Sequence, residues 1–185
     1  MSVSIPTVVL GASGYVGGEL LRLIAGHPHF SLQAAVSDSG AGKPIGELFP
    51  HLDQALAGHT FAAHGEWLDW VEADSTLALF SAAPHGASAA IIADAIAACE
   101  KKGIEMHVVD SSADFRVADQ DTWETIYNSR HGAPELLDKF VCALPEHVSD
   151  IDVAHVGHPG CFATASTLAT VPLIQSDLTL SLIHI

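Results

Sequence analysis

Apolar positions along the chain fall into short unbroken runs, separated by glycine-rich turns and by stretches of helical period. Residues 5–10 form a six-residue, largely β-branched run with Pro6 near its start, and the run ends at Gly11. That length and that ending predict a buried parallel strand rather than a helix. After Gly14, the apolar residues Val16, Leu20, Leu23 and Ile24 recur near helical spacing until Gly26 and Pro28 interrupt them, which predicts a helix of about three turns. A second strand is predicted over 32–36, followed by a Gly- and Ser-rich loop over 37–44. Pro50, Gly58 and Gly65 punctuate the stretch from 45 to 74, and only the alternation at 60–63 suggests a strand there.

The alternation then resumes. A strand is predicted over 77–82, then a turn at Ala83-Pro84-His85-Gly86, then an Ala/Ile-rich helix over 87–102 stopped by Gly103. Further strands are predicted over 106–109 and 152–156, with a new helix from about Phe162. Residues 178–185 alternate like a strand, with no turn or cap after them. Continuously apolar strands alternating with helices predict an α/β fold, a Rossmann-like doubly wound parallel sheet covered on both faces.

Composition narrows the function. The 185 residues carry 22 acidic and 7 basic side chains, a net charge of −15, so a polyanion would be repelled and nucleic acid is excluded as a main partner. The three cysteines, Cys99, Cys142 and Cys161, are odd in number and widely spaced, which fits a reducing compartment better than a disulfide scaffold. The N-terminus has no basic region and its apolar run stops at Gly11, so neither a signal peptide nor a membrane span is expected, and the expected location is cytoplasmic. His155 and His158, like His27 and His29, lie close in sequence, but Pro28 and the Pro159-Gly160 turn break regular presentation, and no metal site is expected.

Three motifs carry candidate chemistry. Gly11-Ala12-Ser13-Gly14-Tyr15-Val16-Gly17 joins a predicted strand to a predicted helix with GxxGxxG spacing, which suits a tight turn whose free N–H groups hold a pyrophosphate. An ordinary turn with close helix packing is the alternative. Asp38, 21 positions after Gly17, falls where a side chain reads the adenosine ribose. A carboxylate there favours the 2′-hydroxyl of NAD over the 2′-phosphate of NADP, unless it points away and Ser37, Ser39 or Lys43 does the reading; it could equally be a solvated turn acid. In the second motif, His158-Pro159-Gly160-Cys161, the turn delivers Cys161 to a helix start, where free N–H groups and the helix dipole stabilise a thiolate and then an oxyanion. The third, Asp110-Ser111-Ser112-Ala113-Asp114-Phe115-Arg116, ends a strand at the ligand edge of the sheet. Arg116 suits a carboxylate or phosphate, unless Asp114 pairs with it structurally.

Together the stretches GASGYVGGELLRLIAGHP, SAAPHGAS, VVDSSADFR, ALPE and HPGCFATA resemble N-acetyl-gamma-glutamyl-phosphate reductase, in the right order over essentially the whole chain. The resemblance implies NADPH-dependent reduction of the small-molecule acyl phosphate to N-acetylglutamate semialdehyde, through a thioester on Cys161, in arginine biosynthesis. It further implies Arg116 as a substrate contact and Gly11, Ser13, Gly14, Tyr15, Val16 and Gly17 as the cofactor loop. Ser37 and Ser39 would lie by the ribose, and Pro84 and His85 along the cofactor edge. Residues 1–157 would be the dinucleotide-binding domain, and 158–185 the cysteine helix and incomplete start of an α+β catalytic and dimerisation domain, the parent enzyme being a homo-oligomer.

The chain departs from the family at His158, at Phe162-Ala163 and at Cys142-Ala143. Asp38 stands where many relatives have a basic or neutral residue, which leaves NAD open beside NADP. The family's general acid/base histidine lies well downstream of the cysteine, whereas 24 residues follow Cys161 here, so the chain reads as truncated and inactive alone. Leu168, Leu173, Ile174 and Leu180 are then expected to be uncovered. The alternatives are aspartate-semialdehyde dehydrogenase, an aminoadipyl-phosphate reductase relative, or a dinucleotide-binding module without catalysis.

Overall fold

The computed structural model describes residues 4–148 and 151–178. The elements follow in chain order as β1 (Ile5–Leu10), α1 (Tyr15–Ala25), β2 (Phe30–Val36), α2 (Ile45–Leu48), β3 (Phe61–Ala62), β4 (Thr76–Ser81), α3 (Ser88–Lys101), β5 (Glu105–Asp110), α4 (Gln120–Tyr127), β6 (Phe140–Cys142), β7 (His155–Gly157) and α5 (Cys161–Gln175). Seven strands form one sheet in the order β3-β2-β1-β4-β5-β7-β6, every neighbouring pair parallel. The order reverses between β1 and β4, the topological switch where such sheets open a ligand crevice beyond the carboxyl ends of their strands.

Residues on alternate sides of the strands build two cores. On one face Val8, Leu10, Leu77, Leu79 and Val108 pack under α3 through Ala89, Ile92 and Ile96. On the other, Val9 and Ala35 meet Leu21 and Ile24 of α1, with Ile45, Leu52 and Phe61 closing the layer. β5 is less covered than its apolar run suggests, because Glu105 and His107 are exposed on the α1 side.

The expected strand over 152–156 is a correction: only His155–Gly157 is extended, one residue further on, because pairing begins at the Val108–His155 register. β6 and α4 were not anticipated; β6 is a three-residue edge strand and α4 a short helix capped by Asp119, whose Oδ1 accepts the Thr122 N–H at 2.8 Å. The alternation at 60–63 is a two-residue strand, β3. The strand-like pattern at 178–185 falls almost wholly outside the described residues. No helix among those described is long and apolar enough to cross a membrane.

Beyond β5, an aromatic column fills the core: Phe115 stacks on Phe140 at 3.7 Å, and Phe140 tilts against His155 at 4.9 Å. His155 is buried and its Nδ1 has no hydrogen-bond partner. Burial, then the neighbouring His107 and Lys139, hold its pKa below the ordinary value of 6.5. The unfolded chain therefore takes up a proton below about pH 6.5 that the folded chain refuses. Folding stability is expected to fall as the pH drops through that window, and chemical denaturation at several pH values should show a shallower fall for His155→Leu.

Candidate active site

The crevice side of the sheet is organised by two buried carboxylates. Asp110 closes β5; its Oδ1 accepts from Ser88 Oγ at 2.8 Å and from the Ser112 N–H at 3.2 Å, and its Oδ2 from Ser112 Oγ at 2.5 Å. Ser88 Oγ in turn lies 2.7 Å from Ser81 Oγ, so the ends of β4 and β5 and the start of α3 share one network. Burial pushes the Asp110 carboxyl up, against the opposing hydrogen bonds from Ser112 and Ser88. Asp114 accepts from the Gly86 N–H at 2.7 Å and the Ala89 N–H at 2.9 Å, which caps α3 from a distant loop. Its own carbonyl meets His131 Nε2 at 2.7 Å.

The structural pairing of Asp114 with Arg116 is thus not what the fold contains. Arg116 instead donates from Nε to the His158 carbonyl at 3.0 Å and from Nη2 to the Ser111 carbonyl at 3.3 Å. Its guanidinium lies against the Pro-Gly-Cys turn, with donors left over for an anion. A Cβ at Gly160 would lie 2.9 Å from the Arg116 Cζ, and Gly160 holds φ +97° and ψ 160°, a region essentially reserved for glycine. Cys161 opens α5 exposed, with no side chain capping that helix, so its first N–H groups lack intrahelical acceptors.

The glycine loop follows β1 as expected. A Cβ at Gly17 would sit 2.4 Å from the Gly11 carbonyl oxygen, so only glycine lets the loop fold this tightly. α1 starts uncapped, with Tyr15 and Val16 exposed. Ser13 Oγ lies 2.6 Å from Ser37 Oγ, which is 3.3 Å from Ser39 Oγ. Asp38 lines the same space, and its Oδ1 accepts the His64 N–H at 2.8 Å.

Three cavities share lining residues and make one trough. The central one, about 400 Å³, runs along Gly11, Gly14, Ser37 and Pro84. One of about 280 Å³ extends it past Ser13 and Ser39 to Lys43. One of about 200 Å³ extends it past Pro84 and His85 to Arg116. Gly11, Ser13, Gly14, Val16, Ser37, Ser39, Pro84, His85 and Arg116 thus lie along one groove, with Lys43 and Arg116 at its two ends, whereas Tyr15, Gly17 and Cys161 do not line it; the cysteine turn meets it through Arg116.

A model of the semialdehyde dehydrogenase NAD-binding domain matches residues 6–163. The chain belongs to the semialdehyde dehydrogenase family. It is 37% identical over 172 residues to the N-acetyl-gamma-glutamyl-phosphate reductase of Pseudomonas fluorescens Pf0-1, covering 92% of this chain and 47% of that protein. It is 40% identical over 169 residues to the one from Rubrobacter xylanophilus, covering 90% and 45%. An Aeropyrum pernix protein provisionally named LysW-L-2-aminoadipate/LysW-L-glutamate phosphate reductase is 37% identical over 182 residues, covering 96% and 48%. The chain spans about half the length of these family relatives. A solved structure, aspartate semialdehyde dehydrogenase with NADP from Candida albicans, is 20% identical with a TM-score of 0.40 over 70% of this chain and 41% of that one, a likeness too slight to add to the family match.

Sequence reasoning missed the roles of Asp110, Asp114 and Ser88, since a carboxylate that caps a distant helix leaves no local pattern. It also missed the His158 side chain, whose signal was present as an acceptor two residues before a glycine in a turn.

The cysteines differ in setting. Burial pushes up Cys99, whose thiol contacts Met106 Sδ at 3.8 Å, with Lys102 opposing. Desolvation also pushes up Cys142, with Arg116 opposing. Alkylation by iodoacetamide at neutral pH, read by mass spectrometry, should therefore modify Cys161 first, Cys142 next and Cys99 last. Gly160→Ala should destabilise the chain by about 1–3 kcal/mol in denaturant titration, since alanine is forced into a strained conformation against Arg116.

Proposed function

We propose that this chain carries the dinucleotide-binding half and the nucleophile of an NADPH-dependent reductase acting on N-acetyl-gamma-glutamyl phosphate. The observation that carries this reading is the trough itself, which ends at Arg116 against the turn that presents Cys161. Residues 158 onward are read as the start of a second domain, in keeping with α5 having no buried residue and with Leu168, Leu173 and Ile174 exposed.

The Cys161 thiolate adds to the acyl carbon, the carbonyl electrons move to oxygen, and the free N–H groups at the start of α5 stabilise that oxyanion. Collapse breaks the carbon–oxygen bond to phosphate, which leaves with the electron pair, and Cys161 holds a thioester. Arg116 orients the departing phosphate through its unused donors. Held along residues 11–17, Ser37 and Ser39, NADPH would supply the hydride that reduces the thioester; the carbon–sulfur bond then breaks, the semialdehyde leaves and Cys161 regains its thiolate. No histidine of this chain is assigned as the acid/base, a role that the family resemblance puts downstream.

NADPH is favoured over NADH because the Asp38 carboxylate is engaged by His64, while Ser13, Ser39 and Lys43 border the end of the trough beside the ribose position. Residues 11–17 fit the pyrophosphate, since the loop is closed to any Cβ at Gly17 and the N–H groups that start α1 are uncapped. The match to the Aeropyrum pernix protein supports a second substrate reading, an aminoadipyl phosphate, because one methylene is worth only about 1–3 kcal/mol of discrimination.

Titration with NADPH and NADH, followed by nicotinamide fluorescence, tests the cofactor. NADPH should bind more tightly, and Lys43→Ala should weaken NADPH while leaving NADH nearly unchanged. Tighter binding of NADH would reverse the assignment of Asp38, and no binding of either would sink the reading of the trough.

A further inference from the structure

We propose that His158 is a positioning residue: its neutral imidazole, protonated on Nε2, bridges the Pro-Gly-Cys turn to the first turn of α5 and so fixes where Cys161 sits. This rests on reading Cys161 as the nucleophile. The main chain of His158 is already pinned on both sides, its N–H donating to the Asp110 carbonyl at 2.8 Å and its carbonyl accepting from Arg116 Nε at 3.0 Å. Its ring then reaches across the turn. Nδ1 accepts the Gly160 N–H at 3.1 Å, and Nε2 lies 3.3 Å from Thr164 Oγ1.

These two contacts determine the tautomer. A ring nitrogen that accepts a main-chain N–H carries no proton, so the proton of the neutral ring is on Nε2 and is donated to the Thr164 hydroxyl. The ring therefore joins a residue three before Cys161 to one three after it. Thr164 N–H to the Gly160 carbonyl, at 2.9 Å, is the first main-chain bond of that helix turn. With no side chain capping α5, the imidazole is what holds the turn against the helix.

Arg116 approaches the ring from the loop after β5, and Cys161 lies on the turn itself. Asp110 offers its carbonyl, with its carboxyl turned toward Ser88 and Ser112. Partial burial first, and Arg116 second, hold the His158 pKa below its ordinary value. A proton on Nδ1 would face the Gly160 N–H donor to donor and release the turn. Asparagine can take the same N–H from two residues on through its side-chain oxygen, without titrating; alanine cannot.

The test begins on the unaltered 185-residue chain, where imidazole ¹⁵N shifts followed across pH 5–8 report the tautomer and midpoint of His158. The expected result is an Nε2–H tautomer with a midpoint below 6.5; an Nδ1–H tautomer overturns the proposal. Rates of Cys161 alkylation by iodoacetamide follow for the unaltered chain, His158→Ala and His158→Asn. His158→Ala should slow alkylation about tenfold at pH 7.5, the worth of one hydrogen bond. His158→Asn should restore most of that rate and remove the extra loss seen below pH 6.5 in the unaltered chain. Equal rates in all three proteins, or an asparagine variant no faster than the alanine one, overturn the proposal. A Cys161 no more reactive than a free thiol in the unaltered chain would sink the nucleophile reading instead, while the ¹⁵N shifts still decide His158.

Discussion

Asp110, at the end of β5, and Asp114, four residues on in the loop that follows, together accept hydrogen bonds from Ser88, Ser112, Gly86 and Ala89. A carboxylate taken out of water is costly unless its lone pairs are filled, and here the donors come from different parts of the chain. The network ties the end of β4, the start of α3 and the loop that carries Arg116 into one unit. Removing either acid would leave buried donors unsatisfied as well as an unconnected loop, so the site depends on these acids although neither touches the trough by itself.

On that base, Arg116 serves two elements at once. Its Nε holds the carbonyl of His158, while the glycine at 160 gives its guanidinium room to lie against the turn. The same cation partly offsets the upward push of burial on the Cys142 thiol, opposes a charge on His158 and remains available to an anion. One arginine is thus shared between folding and chemistry, which restricts what can replace it: lysine would keep the charge but lose the planar fork that reaches two carbonyls.

Much of this was legible in the sequence. The glycine loop, β1, α1 and α3 could be placed closely because long apolar periods and glycine stops are local signals. Cys161 at a helix start followed from a Pro-Gly turn. For Asp38 the sequence left a ribose reader and a solvated turn acid equally open, because the direction of its side chain depends on the His64 amide, 26 residues away. The short strands β3, β6 and β7 were harder, since two or three residues carry no period and their extension is imposed by neighbours. The polar network was invisible for the same reason: Asp114 and Gly86 meet only once β5 lies beside β4.

The order of the sheet also bears on how the chain is made. β7 comes after β6 in the sequence yet lies inside it, between β5 and β6, and among the described residues β6 pairs with no other strand. During synthesis, therefore, β6 emerges without a partner, and the edge of β5 stays open until residue 157 has cleared the ribosome. For that interval an apolar strand edge is exposed to whatever other chain is nearby, the situation in which nascent proteins are most prone to pair wrongly. β7, the last of the described strands to be translated, completes this sheet and, in the same movement, brings the cysteine turn to Arg116.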